Sequence, residues 1–416
     1  MNQLIVPKSR PLTGRVRVSA AKNALLPEMA AALLCDHTVL EDVPRLQDVF
    51  VMAGILRKFG AEITTHGRAF VIDCSHINSY EAIDGPVHKL RASILVLGPL
   101  LARYGEARIG TPGGCPIGER PIDIHIEGLR AMNAQISING HIEATTTGLR
   151  GADIMLPYPS VGATENLMMA ATLAKGKTII RNAAKEPEIG DLAQMLRAMG
   201  AHIEGEAEGE IHIEGKKSLS SVVHHPIPDR IETGTLMVAA AITGGDVTLQ
   251  PVRCEHLLPT CIALSQAGAR ISVAGNAIRV QAPPRLQPLN VRSMPYPGFP
   301  TDMQAQAMAL ACCAEGQSRI EETVFENRFR HAEEMRKMGA DILIHDSYAL
   351  INGGNTLEGA QVKATDLRGG AALALAGLRA QGVTSISDVY NIDRGYERLD
   401  IKLNSLGADI RRVGLM

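Results

Sequence analysis

Leu196-Arg197-Ala198-Met199-Gly200-Ala201-His202-Ile203 is one of six versions of a single phrase in this chain. The others are Leu56-Arg57-Lys58-Phe59-Gly60-Ala61-Glu62-Ile63, Leu129-Arg130-Ala131-Met132-Asn133-Ala134-Gln135-Ile136 and Leu264-Ser265-Gln266-Ala267-Gly268-Ala269-Arg270-Ile271, followed by Met335-Arg336-Lys337-Met338-Gly339-Ala340-Asp341-Ile342 and Leu403-Asn404-Ser405-Leu406-Gly407-Ala408-Asp409-Ile410. Their alanines, from Ala61 to Ala408, stand 73, 67, 68, 71 and 68 residues apart. Six copies at so even an interval make an internal repeat, and a repeat decides the architecture before any local reading does. Each phrase predicts the end of an amphipathic helix, a glycine cap and then a strand. In the third copy Ile189, Leu192, Leu196 and Met199 share one stripe, with Glu188, Asp191 and Arg197 at polar positions. Such helices are expected on a surface.

A second set of six helices differs in kind: residues 24–34, 90–102, 163–174, 235–242, 303–313 and 370–378 are rich in Ala, Leu and Met nearly all round. A helix with no polar face is buried. The starts of these helices are polar, with Lys22-Asn23, Arg91, Ser160, Asp229-Arg230, Thr301-Asp302 and Asp366 with Arg368. The repeating unit is therefore a buried helix, a surface helix and several strands, and three units make a domain of ordinary size. The expected division is residues 21–228 against 1–20 plus 229–416, with residues 5–19 read as strands of the second domain. It falls at His224-His225-Pro226-Ile227-Pro228. Vicinal histidines could ligate a metal, but the segment is read here as a solvated linker.

Composition narrows the function. The 416 residues carry 42 basic and 44 acidic side chains, so no general polyanion-binding surface is implied. Aromatics are 3% with no Trp, against a stacking platform for single-stranded nucleic acid. The seven cysteines form no CxxC pair, which fits reduced thiols in a cytoplasm. Cys254 and Cys261, two helical turns apart, are expected on one core-facing side rather than at a metal. No signal peptide and no membrane-spanning run is read. Neither GxGxxG opening a helix nor GxxxxGK[ST] occurs, so nucleotide chemistry by those motifs is unsupported.

Thr111-Pro112-Gly113-Gly114-Cys115-Pro116-Ile117-Gly118-Glu119-Arg120-Pro121 holds three prolines, three glycines and one thiol, flanked by Arg108 and Arg120. That mixture is read as a shaped lid loop. Nearby cations favour thiolate, so Cys115 is a candidate functional thiol, the alternative being a small residue in a turn. Helix N-termini carry unpaired N–H groups and a partial positive charge. Gathered on one face and reinforced by Lys22, Arg91, Arg120, Arg328, Arg368 and Arg394, they would hold a phosphorylated or carboxylated ligand without a metal. Asp302 is read equally as a helix cap and as a general base for a substrate hydroxyl.

These motifs resemble those of the EPSP synthase family of enolpyruvyl transferases, and within it the UDP-N-acetylglucosamine branch. The likeness runs from end to end. It is carried by Ala21-Lys22-Asn23-Ala24, the Gly113–Pro121 stretch, Ser160-Val161-Gly162-Ala163-Thr164-Glu165-Asn166, Pro228-Asp229-Arg230-Ile231-Glu232 and Phe299-Pro300-Thr301-Asp302-Met303-Gln304. Thr323-Val324-Phe325-Glu326-Asn327-Arg328-Phe329, Ala364-Thr365-Asp366-Leu367-Arg368 and Asp393-Arg394-Gly395-Tyr396-Glu397-Arg398 complete it. The resemblance implies an α/β fold of two inside-out α/β barrel domains, each three repeats of a βαβαββ-type unit, with a cleft between them. It implies enolpyruvyl transfer from phosphoenolpyruvate to the 3-hydroxyl of UDP-N-acetylglucosamine, with no cofactor, no metal and no obligate protein partner. By the same resemblance Lys22, Arg120 and Arg394 hold phosphoenolpyruvate, Cys115 is the proton donor and the group alkylated by fosfomycin, and Asp302 is the base. Asn23, Arg91, Arg120, Pro121, Ile122, Asp123, Ile124, Ser160, Val161, Gly162, Asp302, Val324, Arg328, Asp366 and Arg368 complete the substrate-binding set. Ala20 departs from the family's glycine, Asn133 stands where the repeat has glycine, and Tyr158 replaces a lysine found in some members. The rival readings are the sister enzyme acting on shikimate 3-phosphate, RNA 3'-phosphate cyclase, and a non-catalytic paralogue.

Overall fold

The computed structural model describes residues 2–113, 118 and 121–414. Thirteen α-helices occur among them: α1 (Lys22–Ala31), α2 (Gln47–Lys58), α3 (Leu97–Tyr104), α4 (Asp123–Ala131), α5 (Val161–Ala171), α6 (Pro187–Ala198), α7 (Arg230–Thr243), α8 (Leu258–Gln266), α9 (Gln304–Cys313), α10 (His331–Lys337), α11 (Leu367–Arg379), α12 (Tyr390–Asp393) and α13 (Leu399–Ser405). They pack with six four-stranded sheets of one design. In each sheet one edge strand runs parallel to its neighbour, and the remaining pairs are antiparallel.

The repeated phrase has a common geometry. Its alanine N–H reaches back five residues to the carbonyl of Leu56, Leu129, Leu196, Leu264, Met335 or Leu403, at 3.0–3.2 Å. This bond needs a left-handed residue just before the alanine. Gly60, Gly200, Gly268, Gly339 and Gly407 supply it at φ between +86° and +107°, and Asn133 does so at +75°. Asparagine is the residue that tolerates this conformation best after glycine. The second position of the phrase also has a task. Arg57, Arg130, Arg197 and Arg336 each donate to the carbonyl of the isoleucine that ends their own phrase, at 2.7–3.2 Å. Asn404 makes the equivalent bond to Ile410 in the last copy.

Two compact units result, one around residues 20–113 and 121–227 and the other around 2–19 and 228–414. In the first, α1 and α5 are buried along nearly their whole lengths and α3 over residues 97–101, and in the second α7, α9 and α11 are buried nearly throughout. The sheets lie outside them with one face inward. On the strand Lys177–Arg181, Thr178 and Ile180 are buried and sit opposite Ile213 and Ile211. The helices, not the sheets, form the centre of each unit. Burying a Leu or Met side chain contributes about 1.5–3 kcal/mol, and the Ala, Leu and Met of these helices are what fills both cores. Each unit closes with a strand from a distant part of the chain: Val222–His224 joins the sheet of the first repeat, and Asn2–Pro7 that of the sixth.

Three sequence expectations need correction. The buried helix at 90–102 is a 3-10 segment, Arg91–Val96, followed by α3. Pro99 has no N–H and its ring crowds the carbonyl four residues back, which disfavours an unbroken α-helix through that point, although α1 accommodates Pro27 in its interior. The polar positions of α6 are not all solvated: Glu188 and Asp191 are buried and only Arg197 is exposed. His224, read as part of a solvated linker, is buried against Glu28 and Asp191, whereas its neighbour His225 is exposed. Cys254 and Cys261 pack against the second unit's core. Among the described residues no helix is long and apolar enough to cross a membrane.

Candidate active site

The sequence-derived site residues sit at the starts of helices in both units. In the first unit Lys22 and Asn23 open α1, Arg91 opens the 3-10 segment, and Pro121 and Ile122 lead into α4, whose first residues are Asp123 and Ile124. Ser160 caps α5 by accepting from the Ala163 N–H, and Val161 and Gly162 are its first residues. Lys22 is buried with its Nζ 2.9 Å from Asp48 of α2. α3 and α5 are pinned together close to this end. Asn166 accepts from the Gly98 N–H at 2.7 Å and donates to Ile94 O at 3.1 Å. A Cβ on Gly98 would lie 2.4 Å from the Asn166 carbonyl oxygen, so only glycine lets these helices approach so closely. Glu165, one turn into α5, is fully buried; burial pushes its carboxyl well up, and Glu188 and Glu186 add to the shift.

The second unit holds the tightest cluster. Asp302 lies in the 3-10 turn Thr301–Met303 just before α9. Arg328 Nη2 donates to its Oδ1 at 2.7 Å, and Arg368 donates to its Oδ2 at 2.9 Å from Nη2 and 3.3 Å from Nε. The two guanidinium groups are nearly covered, at 5% and 2% exposure, while the carboxylate keeps 25%. It is thus oriented by two covered guanidinium groups while part of its own surface remains exposed. Burial alone would lower Arg368, but Tyr396, Asp302 and Asp229 outweigh it and push the guanidinium up. Asp366 is a helix cap: its Oδ1 accepts from the N–H groups of Arg368 and Gly369 and its Oδ2 from Thr365. Val324 belongs to a loop held by Glu322, which accepts from the Val324 and Phe325 N–H groups through one oxygen and from Thr301 through the other. That carboxylate ties the loop to the residue beside Asp302. Arg394 is buried directly after α12. Cys115 and Arg120, with most of the lid loop, lie outside the described residues.

Sequence reasoning missed the supports. Tyr396, one of only seven tyrosines, is buried, and its hydroxyl meets Thr235 of α7 at 2.9 Å and Gln306 of α9 at 3.1 Å. Its ring lies 5.2 Å from the Arg368 guanidinium of α11. One side chain therefore joins the three inner helices behind Asp302. Its place two residues after Arg394 in a chain so poor in aromatics was the available signal. His331, at the start of α10, has burial pushing its imidazole down to about 4, only partly opposed by Asp366, with Arg328 adding to the drop. It stays neutral beside the arginines. Asp48 and Glu322 offered no signal beyond ordinary surface acids.

The arrangement offers an oriented carboxylate beside buried cations, on the helix starts of an enolpyruvyl-transferase-like architecture. A family model described as EPSP synthase (3-phosphoshikimate 1-carboxyvinyltransferase) matches residues 6–403. The chain is 50% identical to UDP-N-acetylglucosamine 1-carboxyvinyltransferase 2 of Clostridium tetani, over 99% of this chain and 100% of that one. It is 49% identical to UDP-N-acetylglucosamine 1-carboxyvinyltransferase of Geobacter metallireducens, again over 99% and 100%. Among solved structures, the enolpyruvyl transferase NikO from Streptomyces tendae matches with a TM-score of 0.90 at 26% identity over 99% of each chain. EPSP synthase from Acinetobacter baumannii shares the fold, with a TM-score of 0.75 at 20% identity over 100% of each chain. With the family's model matched along nearly its whole length and half of its residues shared with these full-length relatives, the chain belongs to the EPSP synthase family, among the UDP-N-acetylglucosamine 1-carboxyvinyltransferases.

Proposed function

We propose that this chain transfers the enolpyruvyl group of phosphoenolpyruvate to the 3-hydroxyl of UDP-N-acetylglucosamine with release of phosphate, the first committed step of peptidoglycan synthesis. Asp302 takes the proton of the sugar 3-hydroxyl as its oxygen adds to C2 of phosphoenolpyruvate. Cys115 gives a proton to the methylene carbon, and the product of that step is a tetrahedral intermediate bearing the sugar oxygen, the phosphate, the carboxylate and a methyl group. Loss of a methyl proton and cleavage of the C2–O bond to phosphate then restore the double bond. Because carbon–oxygen rather than phosphorus–oxygen is cleaved, the positive charge of Lys22, Arg120 and Arg394 around the phosphate suffices in this scheme. Asn23, Arg91, residues 120–124, Ser160, Val161, Gly162, Val324, Arg328, Asp366 and Arg368 are assigned to binding the sugar nucleotide. The same thiol is assigned as the group that attacks phosphoenolpyruvate to form a thioether and that fosfomycin alkylates. A cytoplasmic site of action goes with this reading, since both substrates are cytoplasmic metabolites.

The observation that carries the reading is the Asp302 carboxylate, clamped by the side chains of Arg328 and Arg368 and partly exposed. A mere helix cap would turn its oxygens to backbone N–H groups, as Asp366 and Asp229 do. The test is phosphate release from phosphoenolpyruvate with UDP-N-acetylglucosamine or shikimate 3-phosphate as acceptor. Release is expected with the sugar nucleotide alone, and Asp302→Asn is expected to lower turnover about 10²–10⁴-fold. Release with shikimate 3-phosphate alone would move the chain to the sister activity. Unchanged turnover in Asp302→Asn would remove the base.

A further inference from the structure

A second cluster of ligating atoms lies deep in the first unit, apart from the residues assigned to transfer. Glu28 of α1, Asp191 of α6 and His224 of the closing strand Val222–His224 bring one carboxylate oxygen each and an imidazole nitrogen within 4.8 Å of one another. The His224 Nε2 is 3.2 Å from Asp191 Oδ1 and 3.4 Å from Glu28 Oε1. All three residues are buried, and Glu28 is 0% exposed. Among the described residues, none of Glu28 Oε1, Glu28 Oε2, Asp191 Oδ1 and His224 Nε2 has a hydrogen-bond partner. Asp191 Oδ2 is engaged, accepting from the Ile227 N–H at 2.8 Å.

Two buried carboxylates facing one imidazole leave an uncompensated negative charge, and burial of such a charge is costly unless something neutralises it. Either a proton or a cation completes the set. A shared proton would draw two oxygens, or a nitrogen and an oxygen, into a directed hydrogen bond of about 2.6–2.9 Å. The His224 nitrogen stands 3.2 and 3.4 Å from the two carboxylate oxygens, longer than that range. These separations come close to the edge of a ligand tetrahedron, which for metal–nitrogen and metal–oxygen bonds of about 2.0–2.2 Å is about 3.3–3.6 Å. One imidazole and two carboxylates suit a divalent cation of the zinc class and leave a fourth position.

We propose that Glu28, Asp191 and His224 form a structural divalent-cation site that fastens the first helix of the first unit to its last strand. The cation would enter as the unit folds, because the ligands come from residues far apart in sequence and the site is buried. The transfer chemistry makes no use of it.

The full-length wild-type chain, stripped by a chelator, is titrated with Co²⁺ as probe and then with Zn²⁺. The expected result is uptake of one equivalent of Co²⁺ with the visible absorption of a tetrahedral nitrogen–oxygen site, no thiolate charge-transfer band, displacement by Zn²⁺, and a higher melting temperature with metal. Glu28→Gln keeps the side chain's size and is expected to weaken uptake by more than about a hundredfold while phosphate release continues. Wild-type chain that takes up no stoichiometric metal overturns the proposal and leaves the shared proton. Uptake with a thiolate band, or uptake unchanged in both Glu28→Gln and His224→Gln, places the metal elsewhere and overturns it equally. Should either variant fail to fold, the wild-type stoichiometry and spectrum still decide.

Discussion

Gly200 and Asn133 stand at the same place in the repeat and adopt the same left-handed backbone, at φ +102° and +75°. They separate backbone strain from packing. Nothing lies within 4 Å of a Cβ built on Gly200, so Gly200→Ala should be penalised by conformation alone, by roughly 1–2 kcal/mol. Asn133→Gly removes a bond from its side chain to Gly148 O at an exposed site and should shift stability by less than about 0.5 kcal/mol. Urea unfolding of the two variants reads both values; a Gly200→Ala variant as stable as wild type would mean that the phrase is held by something other than its cap. At this scale the sequence was legible where a residue type answers to one backbone need. It was not legible at His224. Nothing in a His-His-Pro run tells a solvated side chain from a buried one, because burial there comes from Glu28 and Asp191, 196 and 33 residues earlier. Asp302 shows the same limit from the other side: its spacing allowed a cap or a base, and only the placement of Arg328 and Arg368 separates the two.

Helices were read well where their composition had one explanation. The all-round apolar segments are the buried helices of both units, with ends displaced by a few residues, and the failure at 90–102 goes with Pro99. What composition could not convey is how the inner helices are held in register, since that depends on single polar contacts between them. Asn166 does this for α3 and α5, and Tyr396 for α7, α9 and α11. Tyr396→Phe tests the second case. It removes a hydroxyl that meets two buried partners, Thr235 and Gln306, which also touch each other at 3.0 Å. Because those partners retain one another, the expected loss is on the order of 1–2 kcal/mol. The ring of the new side chain still faces Arg368. A fall in turnover larger than the fall in stability would show that Tyr396 also positions Asp302 through Arg368. A loss under about 0.5 kcal/mol would mean that the hydroxyl contacts do not hold the helices.

The molecule as a whole consists of two units whose cores share no residue. One core draws on residues 20–222, the other on residues 4–18 and 231–410. The repeat made this much visible, but it could not say which strands close each unit, because closing strands lie outside the six phrases. Asn2–Pro7 lies between strands Val383–Ser387 and Arg411–Gly414, paired antiparallel to both, and Leu4 and Val6 are buried in the second core. Deleting residues 2–8 from the full chain therefore removes an interior strand, leaves both neighbours with unpaired N–H and C=O groups, and takes two apolar side chains, worth about 1.5–3 kcal/mol each, out of the core. Hydrogen exchange followed by peptide should show lost protection at 383–387 and 411–414, spreading into α11, which packs on both Asn2–Pro7 and Val383–Ser387. Protection in residues 20–113 and 121–227 should be retained, since the deleted strand belongs to the sheet and core of the other unit. Equal loss in both units would mean that they fold as one cooperative body despite their separate cores; retained protection at 383–387 would mean that the sixth sheet stands without its N-terminal strand.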